Sequence, residues 1–229
     1  MKYHLLFEQS GTFKNVLKKH GHEAYDYDIL DDFGETDYKI DLFDSIKGAY
    51  IGLSSIFDKM GKDDFIIAFF PCTHFSGLNQ FQYKLLIGGK KRELDSKAIY
   101  RLIKRNNERA EYFDLYMMLC YICKSKGIKL IVENPASCSG NHSFLELFSP
   151  IDIAYKETNR QKWGDYFRKP ANFFAVNFEM REREIEPTPC KDEDKKTILD
   201  NVSGMKARSM ISSLYAENFY KRFLEELNK

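Results

Sequence analysis

The chain has 229 residues, of which 43% are hydrophobic and 30% are charged. This length and apolar fraction predict one folded domain over residues 1–229 and exclude wholesale disorder. With 35 lysines and arginines against 34 aspartates and glutamates, the formal net charge is +1. That balance excludes a global attraction to nucleic acid, so such a partner would have to meet a local patch.

The cellular setting is predicted from the apolar runs, the N-terminus and the cysteines. No apolar run reaches the roughly 18–20 residues that span a bilayer, and Phe65–Cys72 has the length of a buried strand. The N-terminus reaches a carboxylate, Glu8, too early for a signal peptide. Five cysteines at wide spacings do not describe a disulfide framework. We therefore expect a reduced, cytoplasmic protein without a membrane-spanning segment.

Strand-like and helix-like runs alternate along the first 70 residues. The predicted elements are a strand Tyr3–Phe7, a helix Phe13–His20 ended by Gly21, a strand Ala24–Tyr27 ended at Asp28, a helix Asp44–Met60 ended by Gly61, and a strand Phe65–Phe70. A continuous apolar strand is typical of a sheet covered on both faces. The alternation predicts an α/β fold with a mostly parallel sheet and helices on both faces.

Residues 79–112 interrupt this alternation and are predicted to be a basic excursion that leads into a long helix. Lys84–Arg109 contains nine basic residues against three acidic ones. The helix is expected to start near Ser96 and to end at Gly127. Such a charge run is either the solvated face of a helix or a surface for nucleic-acid phosphates, and both interpretations stay open. The candidate phosphate contacts are Lys90, Lys91, Arg92, Arg101, Lys104 and Arg105.

Polar or reactive groups follow four of the predicted strands. A further buried strand, Ile128–Val132, ends at Glu133-Asn134-Pro135. A strand Phe173–Phe178 and a final helix from about Ser213 complete the prediction. The carboxyl ends of parallel strands meet at one edge, where ligands bind. We therefore expect one crevice to receive the groups that follow the strands, which are Ser10-Gly11, Asp28, Pro71-Cys72 and Glu133.

Three of these groups are candidates for chemistry. Cys72 leaves a buried strand for a polar loop, where partial exposure and backbone N–H donors would favour its thiolate; the alternative is a small buried hydrophobe. His74 is either its base or a hydrogen-bonding loop residue. Glu133 is costly to bury unless it faces a polar crevice, where a raised pKa would make it a proton donor. Asp28 stands where a carboxylate accepts hydrogen bonds from ribose, or is an ordinary turn residue.

A zinc site is the competing interpretation of two other cysteines. Cys120-x-x-Cys123 and Cys138-x3-His142 have the spacing of zinc ligands. The first pair lies in the predicted long helix beside its apolar stripe, and a buried strand separates the two pairs. We expect Cys120 and Cys123 to pack in the core, and we expect no metal.

Three pieces of the chain, in order, resemble the cytosine-C5 DNA methyltransferases, and most closely their short versions from phages and mobile elements. They are the turn Phe7–Phe13 followed by Gly21-His22 and Asp28, the loop Phe70-Pro71-Cys72, and the motif Glu133-Asn134-Pro135. Lys169-Pro170-Ala171-Asn172-Phe173-Phe174 and the tail Arg208–Phe219 are similar to those short proteins too. The chain departs from the family in having Phe70 before Pro71, Pro135 after Asn134, one glycine in the first turn, and no evident target-recognition domain.

The resemblance implies a Rossmann-like class I fold dependent on S-adenosylmethionine. By resemblance, Cys72 adds to C6 of cytosine while Glu133 protonates N3, so that C5 can accept the methyl group. The cofactor would contact Phe7, Glu8, Ser10, Gly11, Asp28, Asp41 and Pro71, with Asp28 on the ribose and Asp41 near the adenine. In duplex DNA the target base would be flipped out of the stack.

Two other functions stay open. Because no recognition domain is evident, the substrate could be a free pyrimidine nucleotide. The chain could also be a catalytically degenerate methyltransferase fold that binds nucleic acid or another partner. Cofactor binding separates a catalyst from the degenerate fold, and salt-dependent DNA affinity separates the two enzymes. The sequence predicts no oligomeric state and no target sequence.

Overall fold

The computed structural model describes residues 1–83, 86–87, 90–91, 95–137, 140–191 and 210–228. The strands are β1 (Lys2–Leu6), β2 (Glu23–Asp28), β3 (Tyr38–Lys39), β4 (Asp64–Phe69), β5 (Leu86–Ile87), β6 (Lys90–Lys91), β7 (Lys129–Pro135), β8 (Ile153–Glu157) and β9 (Ala171–Val176). The α-helices are α1 (Thr12–Lys19), α2 (Leu42–Tyr50), α3 (Ser96–Lys126), α4 (Phe144–Phe148) and α5 (Ser213–Phe219), which continues as wider and tighter turns to Asn228.

Seven strands form one sheet in the order β3-β2-β1-β4-β7-β9-β8. All neighbours from β3 to β7 are parallel, whereas β9 runs antiparallel to both β7 and β8. The chain moves outward from β1 to β3 and then returns to the other side of β1 with β4. The direction of winding therefore reverses between β1 and β4. This confirms the predicted α/β class and the mostly parallel sheet.

Helices cover both faces of the sheet, as predicted. On one face, Ile66 and Ala68 of β4 pack with residues of α2 and α3. On the other, Phe65 and Ile67 pack with residues of α1 and α5. Because successive side chains of a strand point to opposite faces, a strand buried on both sides needs an unbroken apolar run. This is why β4 could be recognised in the sequence.

The predicted helix Asp44–Met60 is wrong in its second half. Helix α2 ends at Tyr50, and Gly52 adopts a left-handed conformation with φ of +80° that takes the chain out of the helix. A separate 3₁₀ turn, Ile56–Lys59, starts at Ser55, whose hydroxyl accepts a hydrogen bond from the Phe57 N–H. Leu53, which the apolar spacing of a helix over Asp44–Met60 would place on its buried face, is 60% exposed.

Pairing with the antiparallel strand shifts the predicted boundaries at the other end of the sheet. Strand β7 runs on to Pro135, so Glu133 lies within the strand, opposite Phe173, and not beyond its end. Strand β9 begins at Ala171, two residues before the predicted start. The short β3 and the edge strand β8 were not predicted. Their local sequences carry little apolar signal, and their neighbours in the sheet define them.

Helix α3 has the predicted ends and is much longer than the sheet is deep. Asp95 caps it by accepting from the Ala98 N–H at 2.6 Å, and Gly127 ends it with φ of +71°. Its 31 residues extend about 46 Å, whereas strands of this sheet extend about 20 Å. Apart from Ala98, its buried residues all lie from Leu115 to Cys123. The first half of α3 therefore projects beyond the carboxyl edge of the sheet.

The predicted apolar stripe fails in this projecting half, since Ile99 and Ile103 are exposed there. The excursion predicted at 79–112 corresponds to the end of a 3₁₀ segment that closes at Tyr83, the β5–β6 hairpin and the first half of α3. Within the described part of the chain, no helix is both long enough and apolar enough to cross a membrane.

Candidate functional site

The strand register brings the predicted site residues to one level of the sheet. Leu6 pairs with both Tyr27 and Ala68, and Phe69 pairs with Glu133. Phe7, Asp28 and Phe69 directly follow the paired residues Leu6, Tyr27 and Ala68. Together with Glu133, they therefore lie side by side at the carboxyl edge. In open α/β sheets, ligands bind at the edge where the winding reverses, which in this sheet lies between β1 and β4. The strand ends from which the predicted site residues come therefore meet at this edge.

The turn after β1 is built around a buried carboxylate. Phe7 has a φ of +60°, which is unusual for a residue with a side chain. Glu8 is 5% exposed, and its Oε1 accepts hydrogen bonds from the Ser10 hydroxyl at 2.6 Å and from the Thr12 N–H at 2.7 Å. Burial raises the pKa of Glu8 to about 7. The N-terminus of α1 is thus occupied by a side chain of the protein itself.

Gly11 is required by its conformation and by a neighbouring loop. Its φ is +65°, and a Cβ there would lie 2.8 Å from Glu35 Oε2. The loop that carries Glu35 is held over the turn, because Gln9 Oε1 accepts from the Asp32 N–H at 3.1 Å and Asn15 donates to Glu35. The single glycine of the turn therefore makes room for Glu35 in this structure.

Asp28 ends β2, and Asp41 follows the neighbouring strand β3 by two residues. Asp28 accepts from the Leu30 N–H at 2.9 Å, and burial raises the pKa of its carboxyl. The Ile40 N–H donates to the Asp28 carbonyl at 2.8 Å, which ties the end of β2 to the residue before Asp41. Asp41 caps α2 through its Oδ1, which accepts from the Phe43 N–H at 2.9 Å. Its carboxylate therefore already holds a helix.

The loop that carries Cys72 is held in place by hydrogen bonds and close packing. Pro71 joins it to Phe70, whose ring packs against Phe7 at 5.3 Å. The Cys72 carbonyl accepts from the N–H groups of Phe75 and Ser76, both at 3.0 Å. Gly77 has no room for a side chain, since a Cβ would lie 2.5 Å from the Asn141 carbonyl oxygen. The thiol is thus held at a fixed place, half-buried, at the end of β4.

The electrostatics of Cys72 differ from the expectation. Burial raises the pKa of the thiol, the Glu133 carboxylate raises it further, and Lys169 opposes both. The prediction that the loop favours the thiolate is therefore wrong for the free protein, because desolvation outweighs the nearby cation. The same interactions show that Cys72, Glu133 and Lys169 share one electrostatic environment.

Glu133 is held by a buried arginine that the sequence did not single out. Its Oε1 accepts from Arg160 Nη1 at 3.3 Å, and Arg160 is fully buried. Arg160 Nε lies 2.7 Å from Asp165 Oδ2, and its guanidinium lies 4.4 Å from the centre of the Tyr215 ring. A second link comes from Asn134, whose amide donates to the Phe70 carbonyl at 3.1 Å. The exits of β4 and β7 are therefore tied together.

The remaining candidates have other partners or lie outside the described residues. His74 Nδ1 is 2.8 Å from the Tyr83 hydroxyl, and its ring packs edge-on to Tyr112, which supports the loop role over the base role. Cys120 and Cys123 are buried in the core, and burial raises the pKa of Cys120 to about 12. Cys138 lies outside the described residues. In the described ranges, no group of three or more potential metal ligands occurs.

The predicted phosphate contacts are placed on the projecting half of α3 and the small hairpin. Arg101 and Lys104 are exposed and Arg105 is half-buried on α3, while Lys90 and Lys91 belong to β6. Arg92 lies outside the described residues. Arg109 packs over the rings of Tyr83 and Phe144, at 4.1 and 4.8 Å, and so joins α3 to the segment that follows Cys72. The basic half of the helix therefore stands on the same side of the sheet as the crevice.

Sequence reasoning missed Arg160, Lys169 and the apolar residues beside Asp28. Arg160 and Lys169 reach the site only through the folding of β8 and β9, and no local pattern marks them. Ile29 and Leu30 are 54% and 48% exposed directly after Asp28. Two exposed apolar residues after a strand-end carboxylate are the one local signal that could have been used.

Comparisons with known proteins add no family assignment. The chain matches no protein-family model, and no curated protein is significantly similar to it in sequence. The arrangement itself provides a half-buried thiol, a carboxylate held by a buried cation, and two further carboxylates at the ends of β2 and β3. Such a set can perform nucleophilic addition assisted by an acid.

Proposed function

We propose that the protein is a methyltransferase that uses S-adenosylmethionine to methylate C5 of cytosine in DNA. The observation that carries this proposal is that Cys72, which follows β4, and Glu133 of the adjacent parallel strand β7 share one electrostatic environment, one strand away from the point where the winding reverses. A thiol and a carboxyl on one crevice are the two groups that activation of C5 needs. The sheet also fits: one antiparallel strand beside the last parallel one is consistent with the class I fold that the sequence resembles.

The residues on the other side of the crevice fit this cofactor. Asp28 offers a carboxylate for the ribose hydroxyls, and the exposed Ile29 beside it offers an apolar surface for the adenine ring. Phe7, packed between Phe43 and Phe70, provides the apolar base of the proposed cofactor site. One buried oxygen, Glu8 Oε2, has no hydrogen-bond partner within the described part of the chain and can accept from a ligand. When bound, S-adenosylmethionine supplies the methyl group.

In this mechanism Cys72 and Glu133 act on opposite sides of the target ring. Cytosine C5 is a poor nucleophile until C6 is attacked. The Cys72 thiol passes its proton to the Glu133 carboxylate, and Glu133 delivers a proton to N3 as the sulfur bonds to C6, so that the electron pair of the C5–C6 double bond moves to C5. After methylation a base removes the C5 proton, the sulfur leaves C6 with its electron pair, and the N3 proton returns to Glu133. Arg160 positions Glu133 for this exchange.

The basic half of α3 supports DNA over a free nucleotide as the substrate. A single nucleotide needs no basic surface outside the crevice, whereas a duplex is held through its phosphates. Flipping the target base costs a few kcal/mol of lost stacking and pairing. Phosphate contacts from Arg101, Lys104 and Arg105, beside the crevice, would offset this cost.

The test is incubation with methyl-labelled S-adenosylmethionine and mixed-sequence duplex DNA, followed by mass analysis of the nucleosides. The expected product is 5-methylcytosine, absent with Cys72→Ala and Glu133→Gln. The free nucleotide dCMP is run in parallel. Label in the nucleotide alone would assign the alternative substrate, and cofactor binding without label in either would assign the degenerate fold. A labelled base other than cytosine would refute the proposal.

A further inference from the structure

The projecting half of α3 carries an exposed apolar stripe that the proposed function does not use. Ile99, Tyr100 and Ile103 are 43%, 69% and 55% exposed, and residues three and four apart in a helix share one face. Ala98, which is buried, and Arg109, which packs on two aromatic rings, lie on the other side of the helix. The stripe therefore faces away from the segment on which α3 packs, and contiguous exposed apolar residues mark an interaction surface.

One flank of the stripe is basic, and this identifies the kind of partner that the stripe fits. Lys97, Arg101 and Lys104 are exposed beside it on the same helix. Among the described residues, Lys104 alone of these three has an ion-pair partner, Glu108 at 3.9 Å. DNA presents phosphates on both sides of a major groove in which thymine exposes a methyl group. A second copy of the chain would instead bring further cations to the same contact.

The dimensions of the projecting half fit a major groove. From Ser96 to Tyr112 the helix extends about 25 Å, and a helix about 10–12 Å across enters a groove about 12 Å wide. Tyr112 packs against Phe43 and His74, so this end of the projecting half lies beside the candidate site. Tyr100 lies about 18 Å further along the helix, which corresponds to about five base pairs of duplex.

We propose that the projecting half of α3 lies in the major groove of the DNA substrate, where Ile99, Tyr100 and Ile103 read thymine by contact with its 5-methyl group. The inference rests on the proposed methyltransferase function and names the element that selects the sequence around the target cytosine. Phosphate contacts from the basic flank position the helix without regard to sequence, whereas contacts of the stripe with base edges discriminate among base pairs. Of the four DNA bases, only thymine carries a methyl group in this groove.

The experiment compares the affinity of the protein for duplexes made with thymine and for the same duplexes made with uracil, which lacks only the methyl group. The sequences are those that wild type enriches from a random pool, and fluorescence anisotropy is measured over a range of salt concentrations. Wild type should bind the thymine duplexes more tightly, by about 4-fold for each methyl group that the stripe buries.

The variant that combines Ile99→Ala, Tyr100→Ala and Ile103→Ala should bind thymine and uracil duplexes equally. Its slope of log affinity against log salt should match that of wild type, because the phosphate contacts remain. Alanine is the best helix former and the stripe is exposed, so the variant should also unfold at the temperature of wild type.

A matched variant tests whether the position of these residues matters. Tyr50, Ile51 and Leu53 are also one tyrosine and two aliphatic residues, and they are exposed where α2 has returned to the other edge of the sheet. Their replacement by alanine should leave the thymine preference and the salt slope unchanged. Sedimentation of wild type and the stripe variant without DNA measures self-association.

The outcomes separate this inference from the proposed function. Equal affinity of wild type for thymine and uracil duplexes refutes the inference, as does a stripe variant that keeps the thymine preference. A flattened salt slope in the stripe variant would show that the substitutions displace phosphate contacts, and a wild-type dimer that they dissociate would assign the stripe to a second copy of the chain. Either result overturns the inference. Thymine preference that depends on the stripe, without 5-methylcytosine formation by wild type, would support groove reading and refute the methyltransferase function.

Discussion

At the scale of single residues, the reactivity of Cys72 is set by two neighbours of opposite charge. Burial and Glu133 keep the thiol protonated in the free protein, and Lys169 works against them. A thiol that stays protonated until a substrate changes its surroundings is protected from oxidation and alkylation. The half-buried position of the thiol also limits its oxidation and alkylation.

This balance predicts opposite effects of two substitutions on alkylation of Cys72 by iodoacetamide. Lys169→Gln removes the cation that lowers the thiol pKa, so the alkylation rate should rise only at higher pH than in wild type. Glu133→Gln removes the anion that raises it and leaves Arg160 in place, so the rate should rise at lower pH. Peptide-level mass spectrometry reads out Cys72, with Cys190 as the internal control. Equal profiles for both variants would contradict the assigned environment.

Position along a strand was enough to predict from the sequence which edge of the sheet a residue reaches. Asp28, Cys72 and Glu133 lie at or near the carboxyl ends of their strands, as expected, because parallel strands end at one edge. Arg160 could not be predicted in this way, because it reaches Glu133 across 27 residues of sequence and through two strands whose pairing is non-local. The favoured thiolate was wrong for a related reason. Exposure and charge at Cys72 depend on Lys169 and Glu133, which only the fold brings there.

At the scale of elements, the projecting half of α3 is the feature that suggests a macromolecular substrate. Its end signals, Asp95 and Gly127, are local and were readable in the sequence. Its projection is a consequence of length, since a helix of 31 residues cannot be covered by strands of five to seven. Helix α2 shows the opposite case, where Gly52 ends a helix that apolar spacing alone would have continued.

The role of α3 predicts the salt dependence of DNA affinity. Replacing Arg101, Lys104 and Arg105 with alanine should weaken binding to all duplex sequences. It should also flatten the slope of log affinity against log salt, by up to about 3 if each residue meets one phosphate. The matched control, Lys59, Lys62 and Lys124 to alanine, removes the same charge at the opposite edge of the sheet. Equal slopes for both triple variants would show that the basic half of α3 is a solvated helix face and does not contact DNA phosphates.

At the scale of the whole molecule, the C-terminal helix supports the candidate site through the buried arginine that holds Glu133. Ser212, which caps α5, donates its N–H to Asp165 at 3.1 Å, and Asp165 pairs with the arginine that holds Glu133. Tyr215 of α5 packs on the same guanidinium. The C-terminal helix therefore reaches Glu133 of β7 through Asp165 and Arg160, an arrangement that no local pattern in the sequence could reveal.

The most direct test of the central claim is covalent trapping with duplex DNA that contains 5-fluorocytosine, in the presence of S-adenosylmethionine. Because C5 then carries no removable proton, the reaction should stop after methyl transfer with Cys72 bonded to C6. Mass spectrometry should find the adduct on Cys72, with one added methyl group. It should be absent with Cys72→Ala and strongly reduced with Glu133→Gln. Methylation of ordinary cytosine without any trapped adduct, or an adduct on another cysteine, would contradict the account.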